Sequence, residues 1–178
     1  MNLRTYLLCG GASRRMGRDK AELTHPEGGT LLLRAVQLLE STIGQPVLLS
    51  GDGCRYPEYG FREIPDTCAD CGPLAGILAA LEDAAPSPAL ILAVDMPLVS
   101  HDDLSALIEA RGPEVTIATD GERRHPTLSI WDPSTRPVLR EALRTGELSL
   151  MATLKKLDVK ELELPAKHLV NWNKPEQL

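Results

Sequence analysis

The sequence predicts a single α/β domain in which helices cross over a central sheet. Short apolar runs alternate along the chain with segments of helical periodicity, a pattern typical of strands and the helices that connect them. The run Ala-Leu-Ile-Leu-Ala-Val at 89–94 carries no polar side chain, as expected for a central strand buried on both faces. A length of 178 residues suits one domain with a full core. We therefore expect one domain over residues 1–178.

The strands are predicted from apolar runs bounded by glycine, proline or acidic residues. The first run precedes a pair of glycines, and the third precedes an aspartate. The predicted strands are 4–9, 46–50, 89–94, 115–119 and 127–131, followed by two short ones at 160–164 and 169–171.

Five helices are predicted between and after these strands. In the first, Leu31, Ala35 and Leu38 recur at the spacing that places them on one helical face. Pro73 suits a first helical turn, and Ser100 suits the N-cap of the helix that follows it. The predicted helices are 30–41, 73–84, 102–111, 135–144 and 148–156.

Composition excludes several classes of partner. The net charge of −6 makes the surface as a whole repel polyanions, and an aromatic fraction of 3% leaves few side chains for stacking on bases, so we expect no nucleic-acid partner. No apolar run reaches membrane-spanning length, and the N-terminus carries no signal-peptide pattern. Four cysteines do not outline a secreted disulfide framework. We expect no membrane partner and a cytoplasmic location.

The segment 6–20, YLLCGGASRRMGRDK, joins the first predicted strand to a basic, glycine-rich loop. Gly10 and Gly11 let backbone N–H groups approach a ligand, while Arg15 and Lys20 offer charge-assisted donors to phosphate oxygens. The pattern is neither a Walker A motif nor GxGxxG. It predicts a phosphate-binding loop, and the alternative is a surface loop with solvated charges.

Asp95 directly follows the buried strand at 89–94. A carboxylate there lies at the carboxyl edge of the sheet, where open α/β sheets bind ligands. Mg²⁺ often takes one or two protein carboxylates beside substrate phosphates. A helix-capping or turn aspartate is the alternative, but the basic loop after the first strand favours a metal ligand.

Asp66 and Gly72 flank a Cys-Ala-Asp-Cys segment, and GPLAG at 72–76 resembles a tight turn into a helix. Its glycines permit close approach of a ligand or a strand, and plain helix initiation is the alternative. Zinc needs four ligands, so one CxxC is a weak signal for it. Cys68 and Cys71 are interpreted as structural or incidental thiols in preference to redox or metal-binding ones.

Two further segments are candidates for contact with a second substrate. In the charged loop at 120–126, Arg124 or His125 could hold an anionic group, and a solvated hairpin is the alternative. Near the end of the sequence, an extended backbone would point Asn171 and Asn173 to one side, where both can donate and accept hydrogen bonds. Asparagine turns before a final helix are the alternative there.

Taken in order, these segments resemble the molybdenum cofactor guanylyltransferase family. The family motif LAGGxSxRMGxDK is matched by LCGGASRRMGRDK at 8–20, with Cys9 in place of alanine. Each later match is modest alone, but together they follow the family order along nearly the whole chain. These matches are Asp66, GPLAG at 72–76, Asp-x-Pro at 95–97, His125-Pro126 and NWNKPEQL at 171–178.

The resemblance implies a Rossmann-like three-layer nucleotidyltransferase fold with a mostly parallel central sheet. It implies transfer of GMP from GTP to molybdopterin, or to its molybdenum-loaded form, with release of pyrophosphate. Mg²⁺ would be the cofactor. Other molybdenum-cofactor biosynthesis proteins and recipient molybdoenzymes would be partners.

The resemblance also implies roles for individual residues. The attacking phosphate is already an anion, so the reaction needs charge neutralisation and alignment, with Arg15, Lys20 and Asp95 as the catalytic residues and Asp95 as the metal ligand. The nucleotide-binding residues would be Leu8, Cys9, Gly10, Gly11, Lys20, Ser50, Asp66, Gly72 and Asp95. Candidates for the second substrate are Arg124, His125, Asn171 and Asn173.

Three positions depart from the family pattern. Cys9 replaces alanine and would make nucleotide binding sensitive to thiol reagents, and Ser50 lies where many relatives carry asparagine. Residues 146–150 lack the arginines that relatives place there, so recognition of the anionic pterin would pass to other cations. Arg14 and Arg18 fall at variable positions of the motif and are expected to be solvated. The cations that would compensate are Arg123, Arg124 and Lys155.

Two alternative functions stay open from the sequence. One is a cytidylyltransferase of the same fold that acts on molybdopterin or a sugar-like phosphate. Gly10-Gly11 favours GTP over CTP, because cytidylyl relatives tend to carry Ala-Gly there. The other is a non-catalytic nucleotide-binding cofactor chaperone, against which the retention of Lys20 and Asp95 argues.

Overall fold

Seven strands form one sheet in the computed structural model, which describes residues 3–9, 19–25, 28–51 and 55–172. Five α-helices connect or follow these strands. The strands are β1 (Arg4–Leu8), β2 (Leu48–Gly51), β3 (Glu63–Pro65), β4 (Ala89–Ala93), β5 (Val115–Thr119), β6 (Arg124–Trp131) and β7 (Val159–Glu163). The helices are α1 (Leu31–Ile43), α2 (Pro73–Ala84), α3 (His101–Glu109), α4 (Arg136–Thr145) and α5 (Leu150–Leu154).

The strand order is β3-β2-β1-β4-β6-β5-β7. Parallel pairing joins β3 to β2, β2 to β1, β1 to β4 and β5 to β7. β6 is antiparallel to both of its neighbours, β4 and β5. All strands except β6 therefore end at the same edge of the sheet, called the carboxyl edge below, and β6 begins there.

Helices cover both faces of the sheet and give three layers. On one face, apolar residues of α1 and α3, such as Leu32 and Leu107, pack with Leu7 of β1 in one buried cluster. On the other face, α2, α4 and α5 pack with Tyr6 and Leu8 of the same strand. Neighbouring residues of β1 thus enter opposite layers, as the two-residue repeat of a strand requires. The predicted mostly parallel, three-layer α/β fold is confirmed.

Local signals placed the helices correctly. Pro73 opens α2, and Ser100 caps α3 through a capping box with Asp103, in which each side chain accepts a hydrogen bond from the other residue's backbone N–H. α1, α3 and α4 begin or end within two residues of the predicted bounds. α5 is shorter than the predicted 148–156.

The prediction differs from the structure at three strands. β3 was not predicted, because three residues with a single buried apolar side chain, Ile64, give no alternation to detect. The predicted strand at 169–171 is wrong: a 3-10 turn at Ala166–His168 precedes it, and the Leu169 N–H donates to the Ala166 carbonyl of that turn. β6 starts at Arg124, so only the first part of the predicted loop at 120–126 is a loop.

None of the helices in the described ranges has the length and apolar character needed to cross a membrane.

Candidate active site

The ends of three strands bring Leu8, Cys9, Ser50 and Asp95, four of the predicted nucleotide-binding residues, to the carboxyl edge. The Cys9 N–H donates to the Ser50 carbonyl at 2.8 Å, and the Val94 N–H donates to the Leu8 carbonyl at 3.1 Å. These two bonds extend the sheet ladder just past β1. As a result, the buried residues Leu8 and Cys9 lie between the end of β2 and the turn that carries Asp95.

The Asp95 carboxylate is held by one residue on each of its oxygens. Lys20 Nζ lies 3.3 Å from Oδ2, and Asn171 Nδ2 donates to Oδ1 at 3.0 Å. The Trp172 N–H donates to the Asp95 carbonyl at 2.8 Å. Ser100 caps the next helix, so Asp95 does not serve as its cap. Residues distant in sequence therefore converge on one partly exposed carboxylate, which is the arrangement of a binding site.

Ser50 and Asp66 form a second polar group at the same edge. The Ser50 hydroxyl donates to Asp66 Oδ1 at 2.8 Å and lies 3.3 Å from the Gly76 carbonyl of α2. A Cβ at Gly76 would lie 3.0 Å from Leu8 Cδ2, 3.1 Å from Ser50 Oγ and 3.2 Å from Asp66 Oδ1. The second glycine of GPLAG thus lets α2 approach β1 and β2 closely, which the close-approach interpretation predicts.

Gly72 serves a different purpose from Gly76. Its φ is 67°, in the left-handed region, and an added Cβ would meet no atom within 4 Å. The backbone turn before Pro73 therefore requires glycine for its conformation and leaves open space beside it.

Cys68 and Cys71 form a disulfide in the loop between Asp66 and Gly72. The sequence interpretation of Cys68 and Cys71 as structural or incidental thiols did not specify a bond between them. Asp70, inside this loop, has a φ of 57°. The described residues hold no group of three or more His, Cys, Asp or Glu side chains that could bind a metal ion.

Arg124 and His125 lie at the carboxyl edge because β6 begins there. Their side chains are engaged with acidic partners: Arg124 pairs with Glu161 of β7, and His125 Nε2 lies 3.4 Å from Asp120 Oδ2. Backbone N–H groups that donate to Asp120 are the main reason why the pKa of its carboxyl is lowered. The hairpin is therefore an ordered turn in which Arg124 and His125 each lie beside an acidic side chain.

The Cys9 thiol is a buried group with a raised pKa. Burial is the main cause, and the negative charge of Asp19 adds to it. Thiolate is the reactive form of cysteine, so the chemistry of this site works against the predicted sensitivity to thiol reagents.

Sequence reasoning missed Asp19, Arg55 and Tyr56; the side chains of Arg55 and Tyr56 both donate to Asp19 Oδ2. Asp19 is part of the opening motif and could have been singled out by its place beside Lys20. Sequence reasoning also missed the stacking of His25 on Trp172, whose ring centroids lie 5.6 Å apart. The predicted site residues Gly10, Gly11, Arg15 and Asn173, and also Arg14 and Arg18, lie outside the described residues.

Comparisons with known proteins agree with this geometry. The MobA-like NTP transferase domain matches residues 5–160. A probable molybdenum cofactor guanylyltransferase of Flavobacterium johnsoniae is 30% identical over 99% of this chain and 94% of its own. A protein of the same name from Mycobacterium avium is 34% identical, with coverage of 97% and 91%.

A solved structure shares the fold over nearly its whole length. It is the molybdopterin-guanine dinucleotide biosynthesis protein A of Archaeoglobus fulgidus, with a TM-score of 0.78 at 24% identity. The alignment covers 97% of this chain and 93% of that one. At this identity, the similarity shows the fold.

Proposed function

The chain belongs to the MobA-like NTP transferase family, and on that basis we propose that it transfers GMP from GTP to molybdopterin. The products are molybdopterin guanine dinucleotide and pyrophosphate. Membership confirms the family resemblance and the nucleotidyltransferase class that the motifs predict. The observation that carries the proposal is the convergence of Lys20 and Asn171 on the Asp95 carboxylate at the carboxyl edge.

Enzymes of this family generally use a divalent metal ion, and we assign that role to Mg²⁺. The donor set fits, because Mg²⁺ often binds through one protein carboxylate together with substrate phosphates. Asp95 would hold it. The ion, when bound, supplies Lewis-acid charge neutralisation at the phosphates.

Lys20 changes partner during the proposed reaction. Its ammonium group lies 3.3 Å from Asp95 Oδ2. When GTP binds, the phosphates compete for this ammonium, and Lys20 stabilises the negative charge that develops on the leaving pyrophosphate. Asn171 keeps hold of the other Asp95 oxygen and so preserves the orientation of the carboxylate.

The base and ribose end of GTP is assigned to the groups around Leu8, Cys9, Ser50 and Asp66. Ser50 donates to Asp66 Oδ1 and so holds this carboxylate in one orientation. The carboxylate can still accept further hydrogen bonds from the nucleotide. Gly10, Gly11 and Arg15 are assigned to the phosphates from the motif alone. Gly72, at the open turn before α2, completes the nucleotide-binding set.

The chemistry is an in-line displacement at the α-phosphorus. An oxygen of the terminal phosphate of molybdopterin forms a bond to that phosphorus, and the bond to the bridging oxygen of pyrophosphate breaks. The nucleophile is an anion, so no general base is needed, and no covalent enzyme intermediate forms. Arg124 and His125, together with Asn171 and Asn173, are assigned to the second substrate.

The decisive test is incubation of the protein with GTP, Mg²⁺ and molybdopterin. We expect pyrophosphate release in step with the guanine dinucleotide product, and no nucleotidyl-enzyme adduct with labelled GTP. Faster turnover of CTP than of GTP would make the protein a cytidylyltransferase. Tight GTP binding with no turnover would make it a nucleotide-binding cofactor chaperone.

Partnership with other molybdenum-cofactor biosynthesis proteins and recipient molybdoenzymes stays a prediction, as does the cytoplasmic location. Co-purification of the protein with a recipient molybdoenzyme would test the first of these.

A further inference from the structure

One guanidinium group joins the two residues that flank segment 10–18. Arg55 Nη1 donates to the Cys9 carbonyl at 3.2 Å, and Arg55 Nη2 lies 2.6 Å from Asp19 Oδ2. Cys9 immediately precedes the segment, and Asp19 immediately follows it. Arg55 therefore fixes the separation between the start and the end of the glycine-rich loop.

Tyr56 contacts the same carboxylate. Its hydroxyl donates to Asp19 Oδ2 at 2.9 Å, and its side chain is almost fully buried. Burial is the main cause of the raised pKa of Tyr56. Asp19 Oδ1 accepts the Ala21 N–H at 3.1 Å and so caps the 3-10 turn at Lys20–Glu22. The orientation of Asp19 thus sets the start of the turn that contains Lys20.

The backbone of Arg55 and Tyr56 is itself anchored to the sheet. The two oxygens of Glu63, on β3, accept the Arg55 N–H at 2.8 Å and the Tyr56 N–H at 2.9 Å. A chain of hydrogen bonds therefore runs from the sheet through Arg55 and Tyr56 to Asp19. Groups held in this way are preorganised, because their rotamers are fixed before a ligand arrives.

We propose that Arg55 and Tyr56 are positioning residues for nucleotidyl transfer, which act through Asp19 to place Lys20 opposite Asp95. The inference rests on the proposed function, in which Lys20 contacts the phosphates of GTP. It assigns to the segment after β2 a task in nucleotide binding. The competing explanation is that the network only supports the fold.

The chain offers a matched control for Tyr56. Tyr6 is also fully buried, and its hydroxyl donates to a carboxylate, that of Asp83 on α2, at 2.8 Å. Replacing either tyrosine with phenylalanine removes one buried hydroxyl and leaves one carboxylate short of a donor. The two variants therefore have similar costs to stability, but only one of the hydroxyls contacts Asp19.

The first experiment compares Tyr56→Phe with Tyr6→Phe. For Tyr56→Phe we expect the Kd and the KM for GTP to rise about tenfold, the size of effect typical of one lost hydrogen bond to a charged group. The KM for molybdopterin should stay unchanged. Tyr6→Phe should lower Tm by about as much as Tyr56→Phe does, but the Kd and the KM for GTP should stay at their wild-type values. Equal GTP values in the two variants would overturn the proposal.

The second experiment removes the guanidinium group. Arg55→Ala should weaken GTP binding more than Tyr56→Phe does, and added guanidinium ion should restore part of the lost activity. Arg62→Ala is the control, since Arg62 pairs with Asp83 at 2.7 Å and is well exposed to solvent. A purely structural role predicts no rescue and parallel losses in Tm and activity. If Arg55→Ala does not fold, Tyr56→Phe still decides the question.

GTP binding is measured without molybdopterin, so the result does not depend on the second substrate. If the wild-type protein turns over CTP instead of GTP, the proposed function fails, and the same variants are then scored with CTP. Unchanged nucleotide binding in Tyr56→Phe overturns the positioning role whichever nucleotide is used.

Discussion

The two halves of the carboxyl edge use charged side chains in different ways. Around β1 and β4, charged groups connect distant parts of the chain, as in the pairs Lys20–Asp95 and Asp19–Arg55. At the β5–β6 hairpin, Asp120 accepts backbone N–H groups of its own turn and lies beside His125, and Arg124 pairs with Glu161 of β7. The first half is thus held by contacts between distant loops, and the second half by a local turn together with one ion pair to another strand.

This difference suggests a division of labour between the two substrates. A nucleotide triphosphate needs several charges held in one fixed arrangement, because the α-phosphorus must be aligned for in-line attack. The half around β1 and β4, where the pairs Lys20–Asp95 and Asp19–Arg55 join distant parts of the chain, meets that need. The hairpin presents partly exposed groups, Arg124 and His125, which can exchange their acidic partners for an anionic ligand at small cost.

The variant with the largest expected effect changes Asp95, in the half around β1 and β4. Asp95→Asn removes the carboxylate charge that lies beside Lys20 and that we propose binds the metal ion, while the amide keeps a similar shape. We expect pyrophosphate release to fall at least about 100-fold, as for loss of one preorganised electrostatic group, with the fold retained by circular dichroism.

Asp132→Asn is the control for that variant, because Asp132 caps a turn at the opposite edge, just after β6. Its activity should match the wild type. Wild-type turnover in Asp95→Asn would remove Asp95 from the mechanism. It would also contradict the contrast between the half around β1 and β4 and the β5–β6 hairpin.

Loss of Lys20 should have the next largest effect. Lys20→Ala deletes a charge-assisted donor of a kind that typically contributes about 1.5–3 kcal/mol, so kcat/KM for GTP should fall about 10- to 150-fold. Lys160→Ala, on the exposed strand β7, serves as the control. Steady-state kinetics with varied GTP measure the effect, and equal values for the two variants would contradict it.

A smaller effect is expected in the hairpin. Arg124→Ala should raise the KM for molybdopterin about threefold, because exposed ion pairs are screened by solvent, and should leave the Kd for GTP unchanged. Glu161→Gln, which removes the partner of Arg124, should lower the same KM. An effect of Arg124→Ala on GTP binding alone would show that the two halves are not separated by substrate.

The smallest effect concerns the pH response of the hairpin. Hydrogen bonds from the backbone N–H groups of Arg123 and Glu122 are the main reason why the pKa of Asp120 is lowered, and His125 adds to the shift. A folded pKa below the unfolded one means that Asp120 stabilises the hairpin above about pH 4, and that this contribution is lost as the pH falls through the folded pKa.

NMR measures this loss directly. The amide signals of Glu122 and Arg123 should titrate together below about pH 4, the usual range for an aspartate, and Asp120→Asn should abolish the titration. A midpoint above the ordinary aspartate value would contradict the assigned direction.

The sequence predicted what is encoded locally. Helix starts at Pro73 and Ser100 follow from the residue and its immediate neighbours, and buried strands such as 89–94 follow from continuous apolar character. The family order of motifs also placed Lys20, Ser50, Asp66 and Asp95 at one edge of the sheet, which the structure then brings together there.

What the sequence could not supply is pairing between distant side chains. Arg55 reaches Asp19 and Cys9, and Asn171 reaches Asp95, only after the sheet has formed. No spacing rule links such positions, because their separation in space is set by the strand order. β3 escaped prediction for a related reason, since its short pairing with β2 depends on a neighbour strand and not on its own pattern.

The attachment of Asn171 and Trp172 to Asp95 has a consequence for shortened forms of the protein. Both residues follow β7, the last strand in the described part of the chain, which ends at Glu163. A protein cut just after β7 would retain all seven strands but would lose the Asn171 and Trp172 contacts to Asp95. Such a cut would therefore alter the carboxylate site without removing a strand from the sheet.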